Sequence, residues 1–162
     1  MHSGIFQISV LPLTQEEFVS VDNIESGDMV SMDYAYDISD EERIEKLQTL
    51  VRHILPKGMF ELDIESATLT YKGGIEAWKK QQLEILKEKA GEVKEENMMQ
   101  WIGPAYQLQK AIVNPLDTSF VFITEACGSF GVAERSRDLM IMANRLKEGD
   151  KLYVGAVYGY HF

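Results

Sequence analysis

The sequence predicts an α+β fold: one domain with about six strands in a mixed sheet, packed by about four helices. Segments with apolar residues at every second position are interspersed with segments whose apolar residues recur every three or four positions. Two strand segments follow each other within residues 59–72, separated by a short turn, which predicts a hairpin. The 162 residues contain no long linker and no low-complexity run, so residues 1–162 fit a single domain.

Two capping boxes mark helix starts in the N-terminal part of the chain. Thr14–Glu17 and Ser39–Glu42 both place a Glu three residues after a hydroxyl side chain, a pattern in which each side chain bonds a backbone N–H group. Alternation predicts strands before both boxes, and in the second strand Tyr34 and Tyr36 are expected on the buried face. The predicted elements are a strand at 5–11, a short helix after Thr14, a half-buried strand at 30–37 and a helix from Ser39 to Pro56.

The remainder of the chain predicts three helices and two strands after the hairpin. These elements are a helix at 75–94, a helix from Pro104, a strand at 119–124, a helix from Val132 and a strand at 151–160. The apolar run 119–124 has no polar face, so we expect it in the centre of the sheet. In the last strand Gly155 and Gly159 leave one face bare, which predicts the close approach of a packed helix or of a ligand.

The net charge of −10 is concentrated in the first quarter of the chain. Residues 1–42 contain ten acidic residues and no Lys or Arg, whereas the remaining residues contain 16 acids and 16 bases. Nucleic-acid binding requires clustered positive charge, so we expect no nucleic-acid partner. A basic protein would be attracted to residues 22–42, and one alternative function is therefore an acidic decoy or inhibitor.

Composition also bears on the compartment and on cofactors. No apolar run approaches the roughly 18 residues of a membrane helix, and the N-terminus lacks the pattern of a secretion signal. The single cysteine excludes an internal disulfide. We therefore expect a cytoplasmic protein that makes no contact with a membrane. No HxH, HExxH or CxxC pair is present, so neither a metal site nor a cofactor is predicted.

The glycine-rich turn 127–131 is the place where catalytic chemistry is feasible. Cys127 follows a predicted strand and precedes Gly128, Ser129 and Gly131, and backbone N–H groups at a helix start stabilise a thiolate or an anion. The Arg of a phosphatase loop and the Gly-Lys-Ser/Thr of a P-loop are both missing. A small enzyme or anion-binding protein that uses Cys127 is a second alternative, against the simpler interpretation of a buried packing cysteine.

Our leading interpretation is a non-catalytic domain that binds a protein partner or a second copy of itself. Met98, Met99 and Trp101 form an apolar cluster in an irregular segment, and Met and Trp side chains adapt well to interfaces. Tyr158 and Tyr160 in the last strand are a second candidate contact. Such a cluster is also common in the core beneath a loop, and the sequence leaves that alternative open.

Overall fold

The computed structural model describes residues 2–24, 33–125 and 136–161. These residues form the predicted α+β fold, in which six strands make one mixed sheet. The strands are β1 (His2–Ser9), β2 (Tyr34–Tyr36), β3 (Phe60–Asp63), β4 (Thr68–Tyr71), β5 (Val121–Thr124) and β6 (Lys151–His161). The α-helices are α1 (Asp40–Thr49), α2 (Ile75–Glu92), α3 (Pro104–Val113) and α4 (Ser136–Ala143). A π-helical turn at Leu50–Ile54 extends α1, and single 3₁₀ turns lie at Gln15–Glu17 and Val21–Asn23.

The long last strand, β6, connects the other strands. The sheet order is β3-β4-β6-β1-β5, and β2 also pairs with β6. One edge of β6 pairs antiparallel with β1, while the other edge pairs first with β4 and then, from Gly159 to His161, with β2. β5 is parallel to β1, which makes the sheet mixed. The predicted hairpin is confirmed by the antiparallel pair β3 and β4.

Both predicted capping boxes form at the positions that the sequence indicates. The Thr14 backbone N–H donates to Glu17 Oε2 at 2.8 Å, and the Glu42 N–H donates to Ser39 Oγ at 3.2 Å. Glu17 Oε2 also accepts a bond from the Thr14 hydroxyl at 3.0 Å. The backbone and side-chain hydrogen bonds from Thr14 together lower the pKa of the Glu17 carboxyl. The first box opens only one 3₁₀ turn, whereas the second opens α1.

β5 lies at the edge of the sheet described here, so its predicted central position is wrong. Its side chains are nevertheless buried on both faces. Phe122 packs in the larger core cluster with helix residues such as Leu139, while Val121 and Ile123 pack in a smaller cluster with Tyr160. The absence of a polar face in a strand therefore indicates that both of its faces are covered. It does not indicate how many strands pair with it.

The two core clusters lie on opposite faces of the sheet. Residues of α1, α2 and α4 contribute to the larger cluster, where Leu47, Leu50 and Met140 pack against β1 and β6. The smaller cluster is covered by the segment that contains Val19 and Ile24. Within the described ranges, none of the helices has the length and the apolar character to cross a membrane.

The two glycines of β6 make room for side chains from neighbouring segments. A Cβ atom at Gly155 would lie 2.8 Å from Gln7 Oε1, and a Cβ atom at Gly159 would overlap the ring of Tyr36. Gln7 Oε1 accepts hydrogen bonds from the N–H groups of Val19 (3.0 Å) and Ala156 (3.2 Å). The predicted close approach is present, but side chains make it rather than a packed helix.

The assignment of faces in β2 is partly wrong. Tyr34 is exposed and stacks on the ring of His161, whereas Ala35 packs against the smaller core cluster. Tyr36 is half-buried because its ring lies over Gly159. A strand of three residues at the rim of a sheet leaves large side chains free to lie along the surface, so alternation is a weak guide there.

Candidate functional site

The turn Met98–Ile102, which connects α2 to α3, is the most exposed apolar segment among the described residues. The side chains of Met99 and Trp101 are 88% and 90% exposed, and those of Met98 and Ile102 are also exposed. None of them belongs to either core cluster. The alternative that these residues are core beneath a loop therefore does not hold for the described part of the chain.

Hydrogen bonds around Asn97 hold this turn in one shape. Asn97 Oδ1 accepts the Lys94 backbone N–H at 2.8 Å, and Asn97 Nδ2 donates to the Glu92 carbonyl at 3.0 Å. The backbone adds bonds from the Met98 N–H to the Lys94 carbonyl and from the Gln100 N–H to the Asn97 carbonyl. The apolar side chains are thus displayed from a backbone that already has its hydrogen bonds.

Gly103 and Pro104 end the turn and begin α3. A Cβ atom at Gly103 would lie 2.6 Å from Cβ of Gln100, so the backbone passes too close for a larger residue. Pro104 occupies the first helical position, where its missing N–H group leaves no helical bond unmade. This arrangement explains why the irregular segment stops where the sequence predicts a helix.

A shallow cavity of about 560 Å³ lies between the turn and the start of α3. Its lining consists of the Met98–Ile102 side chains together with Ala105, Tyr106 and Gln109. Its volume is within the range of sites that accept a small ligand or a few anchoring side chains. The lining contains no ionisable acid or base other than the Tyr106 phenol.

The chain segment that precedes this turn is acidic. No Lys or Arg occurs from Glu95 to Gln109, and the exposed carboxylates of Glu92, Glu95 and Glu96 precede the turn. Lys94 is the one cation among residues 92–109. An apolar surface with a negatively charged border favours a partner that carries positive charge beside its own apolar face.

Tyr158 and Tyr160, the second predicted contact, are used inside the fold. Tyr160 is buried and its hydroxyl donates to the Ser119 carbonyl, while the hydroxyl of partly buried Tyr158 donates to the Val19 carbonyl at 2.6 Å. Burial raises the pKa of both phenols. Tyr160 is therefore a core residue, whereas partly buried Tyr158 stays an untested prediction, and the most exposed predicted contacts are Met98, Met99 and Trp101.

The other predicted sites lie wholly or partly outside the described residues. The turn 127–131, with Cys127, Gly128, Ser129 and Gly131, lies wholly outside the described residues. The enzyme and anion-binding alternatives therefore stay predictions. Of residues 22–42, the structure describes 22–24 and 33–42, where the exposed acids include three in the first turn of α1. That placement suits the helix dipole and accounts for part of the acidic excess locally. Across the described ranges, no three His, Cys, Asp or Glu side chains are grouped to hold a metal ion.

Sequence reasoning missed a second apolar surface, a groove between α2, α3 and α4. We call it the three-helix groove; it encloses about 450 Å³. Trp78, Leu86, Ile112, Met140 and Ile141 provide its apolar lining. Each helix supplies residues that are unremarkable in its own sequence, and only their packing creates the groove.

Comparisons with family models, with curated proteins and with solved structures find no match to this chain. Neither a family nor a related fold therefore bears on its function. The two surfaces described above are the features from which a function can be argued.

Proposed function

We propose that this protein is a binding domain whose contact surface is the turn Met98–Ile102 with its cavity. The partner is a protein segment that has an apolar face bordered by Lys or Arg side chains. The observation that supports this proposal is the exposure of Met99 and Trp101 from a turn fixed by hydrogen bonds. Contiguous exposed apolar side chains of this size are typical of interaction sites.

Trp101 is the side chain of this turn whose burial by a partner would contribute the most binding free energy. An indole buries up to about 150–250 Å² of surface, which at about 25 cal/mol per Å² corresponds to roughly 4–6 kcal/mol before the costs of association. Because the turn is already ordered around Asn97, little further ordering of its backbone opposes binding. Tryptophan is one of the residues that are enriched at interface hot spots.

The charges favour a basic partner over a second copy of the chain. A symmetric dimer places the same patch on both sides of the interface. The carboxylates of Glu92, Glu95 and Glu96 would then face their own counterparts or lie close to them, and Lys94 is the one cation among residues 92–109. Lys or Arg side chains on a different partner would instead neutralise these groups.

The test uses Trp101 as its own reporter. The chain has two tryptophans, so Trp78→Phe leaves Trp101 as the single source of indole emission. The probe is a synthetic amphipathic helical peptide of Leu and Lys, compared with a peptide of identical pattern in which Glu replaces Lys. We expect the Leu/Lys peptide to shift Trp101 emission to the blue in a saturable way, and added salt to weaken binding.

Two further variants distinguish this surface from general attraction to an acidic protein. In the Trp78→Phe background, Met99→Ala should weaken binding of the Leu/Lys peptide about tenfold or more. Leu83→Ala is the matched control, since Leu83 is 50% exposed on α2 and does not line the cavity. Equal binding by the Met99 and Leu83 variants would refute the proposal, as would a dimer in sedimentation whose formation buries Trp101.

A further inference from the structure

The three-helix groove has a base of buried core residues and sides that are exposed to solvent. Met140 is 3% exposed and belongs to the larger core cluster, so the floor is held by the packing of α4 on the sheet. Ile112 and Ile141 on the walls are exposed, and Trp78 is half-buried. The groove is therefore a preformed apolar surface that is open to solvent among the described residues.

The charged side chains that line the three-helix groove are all cations, although the chain as a whole is acidic. Its lining includes Lys79, Arg137 and Arg145 and no Asp or Glu, although the chain has 26 acids and 16 bases. A cluster of cations around an apolar surface attracts a ligand that is itself both apolar and negatively charged.

The three cations differ in how far their charge is already compensated. Lys79 Nζ lies 2.7 Å from Glu76 Oε1, and Arg137 Nε lies 3.9 Å from Asp138 Oδ1. No carboxylate of the described residues lies within 4.0 Å of the Arg145 guanidinium. Arg145 also borders a neighbouring cavity of about 340 Å³ that Glu125 lines. Of the three cations, Arg145 is therefore the one whose charge is least compensated within 4.0 Å by the described residues.

We propose that the three-helix groove binds a small amphipathic anion. The apolar tail of the ligand packs on Trp78, Met140 and Ile141, and its anionic head group is held by Arg145 and Arg137. The enclosed volume of about 450 Å³ lies within the range of small-molecule sites. A guanidinium group is suited to the head group because its planar donors match a carboxylate or a phosphate bidentately.

This site is independent of the surface proposed for protein binding. The three-helix groove and the cavity at Met98–Ile102 share no lining residue. Each also contains one of the two tryptophans, with Trp78 in the groove and Trp101 in the turn. Failure of one proposal therefore leaves the other unaffected.

The test compares two amphiphiles with equal tails and opposite heads. The variant Trp101→Phe leaves Trp78 as the single tryptophan, and it is titrated with decanoate and with decyltrimethylammonium, each below its critical micelle concentration. We expect a saturable change of Trp78 emission with decanoate, and binding of the cationic amphiphile that is at least about tenfold weaker. Arg145→Gln should weaken decanoate binding about tenfold, because a charged hydrogen bond is lost.

Two more variants keep the test decisive. Arg52→Gln removes one exposed positive charge outside the groove and should leave decanoate binding unchanged. Ile141→Glu places a carboxylate on the exposed wall and should abolish binding with little change in the melting temperature. Equal affinity for both amphiphiles, or decanoate affinity that survives Arg145→Gln and Ile141→Glu, overturns the proposal. Trp78 emission that depends on protein concentration without ligand also overturns it, since a second copy would then cover the groove.

Discussion

Met99 and Met140 place the same side chain in two opposite settings. Met99 projects from the turn Met98–Ile102 and is almost fully exposed, whereas Met140 forms the floor of the three-helix groove and is almost fully buried. The turn owes its shape to local hydrogen bonds around Asn97. The groove owes its shape to helices packed on a shared core. One surface can therefore change without affecting the fold, and the other cannot.

The two surfaces also differ in their charged surroundings. The turn follows a run of carboxylates and has no cation from Glu95 to Gln109, while the groove is lined by Lys79, Arg137 and Arg145 without an acid. Apolar character alone would not tell the two sites apart. The sign of the neighbouring charges leads us to propose a basic protein segment for one and an anionic small molecule for the other.

The largest expected difference between the two surfaces is in the loss of stability when a Met on each is replaced by Ala in separate variants. Met140→Ala removes a buried side chain and leaves a cavity, so we expect it to lower the free energy of unfolding by about 2–5 kcal/mol. Met99→Ala removes an exposed side chain and should change that energy by about 0.5 kcal/mol or less. Urea denaturation followed by circular dichroism measures both values. Equal losses at the two positions would contradict the burial that separates them.

A smaller effect is expected where α4 begins, beside the three-helix groove. Buried Ser136 Oγ donates to Asn114 Oδ1 at 2.7 Å and accepts the Leu116 N–H at 3.1 Å, which ties α4 to the connection after α3. Ser136→Ala leaves both groups without this partner and should lower the free energy of unfolding by roughly 1–3 kcal/mol.

A double-mutant cycle isolates the bond between the two side chains at this helix start. Ser136→Ala, Asn114→Ala and the double variant should give a coupling energy of at least about 0.5 kcal/mol, because the residues contact each other directly. Decanoate affinity should fall in the same variants if the position of Arg137, the next residue of α4, depends on this bond. Strict additivity of the two substitutions would show that the buried polar pair does not hold α4 in place.

Local signals in the sequence were sufficient for most elements of the fold. The capping boxes at Thr14 and Ser39, the hairpin in residues 59–72 and the helix start at Pro104 all depend on residues within a few positions of one another. For the same reason the exposed turn could be recognised as a candidate, since its Met and Trp residues are adjacent in the chain. Its exposure could not be predicted, because that depends on whether a distant segment covers it.

Features that depend on distant contacts were missed or misassigned. β5 was expected in the centre of the sheet because both of its faces are apolar, but strand order depends on pairing between remote segments. Tyr160 was expected at a partner surface, yet its hydroxyl donates to Ser119, 41 positions away. The three-helix groove unites Trp78, Ile112 and Ile141 from three separate helices, so no local pattern indicates it.

A smaller loss of stability than at Met140 or Ser136 is expected at Asn97, which holds the exposed turn. Its side chain makes two exposed hydrogen bonds, to the Lys94 N–H and to the Glu92 carbonyl. Asn97→Ala removes both and should lower the free energy of unfolding by about 1 kcal/mol, since exposed bonds are partly replaced by bonds to water. The turn itself should become mobile, because these bonds are local and Met98, Met99, Trp101 and Ile102 belong to neither core cluster of the described residues.

Steady-state anisotropy of Trp101 in the Trp78→Phe background measures this mobility directly. We expect the anisotropy to fall in Asn97→Ala, together with affinity for the Leu/Lys peptide, because a disordered turn must be ordered again on binding. Asn97→Asp keeps the acceptor for the Lys94 N–H but replaces the donor with a carboxylate oxygen that faces the Glu92 carbonyl. Because this variant also adds a negative charge, it is compared by anisotropy and not by affinity for the Leu/Lys peptide, and its anisotropy should stay above that of Asn97→Ala. An unchanged anisotropy in Asn97→Ala would mean that packing, and not hydrogen bonding, orders the turn, and the contrast with the three-helix groove would then disappear.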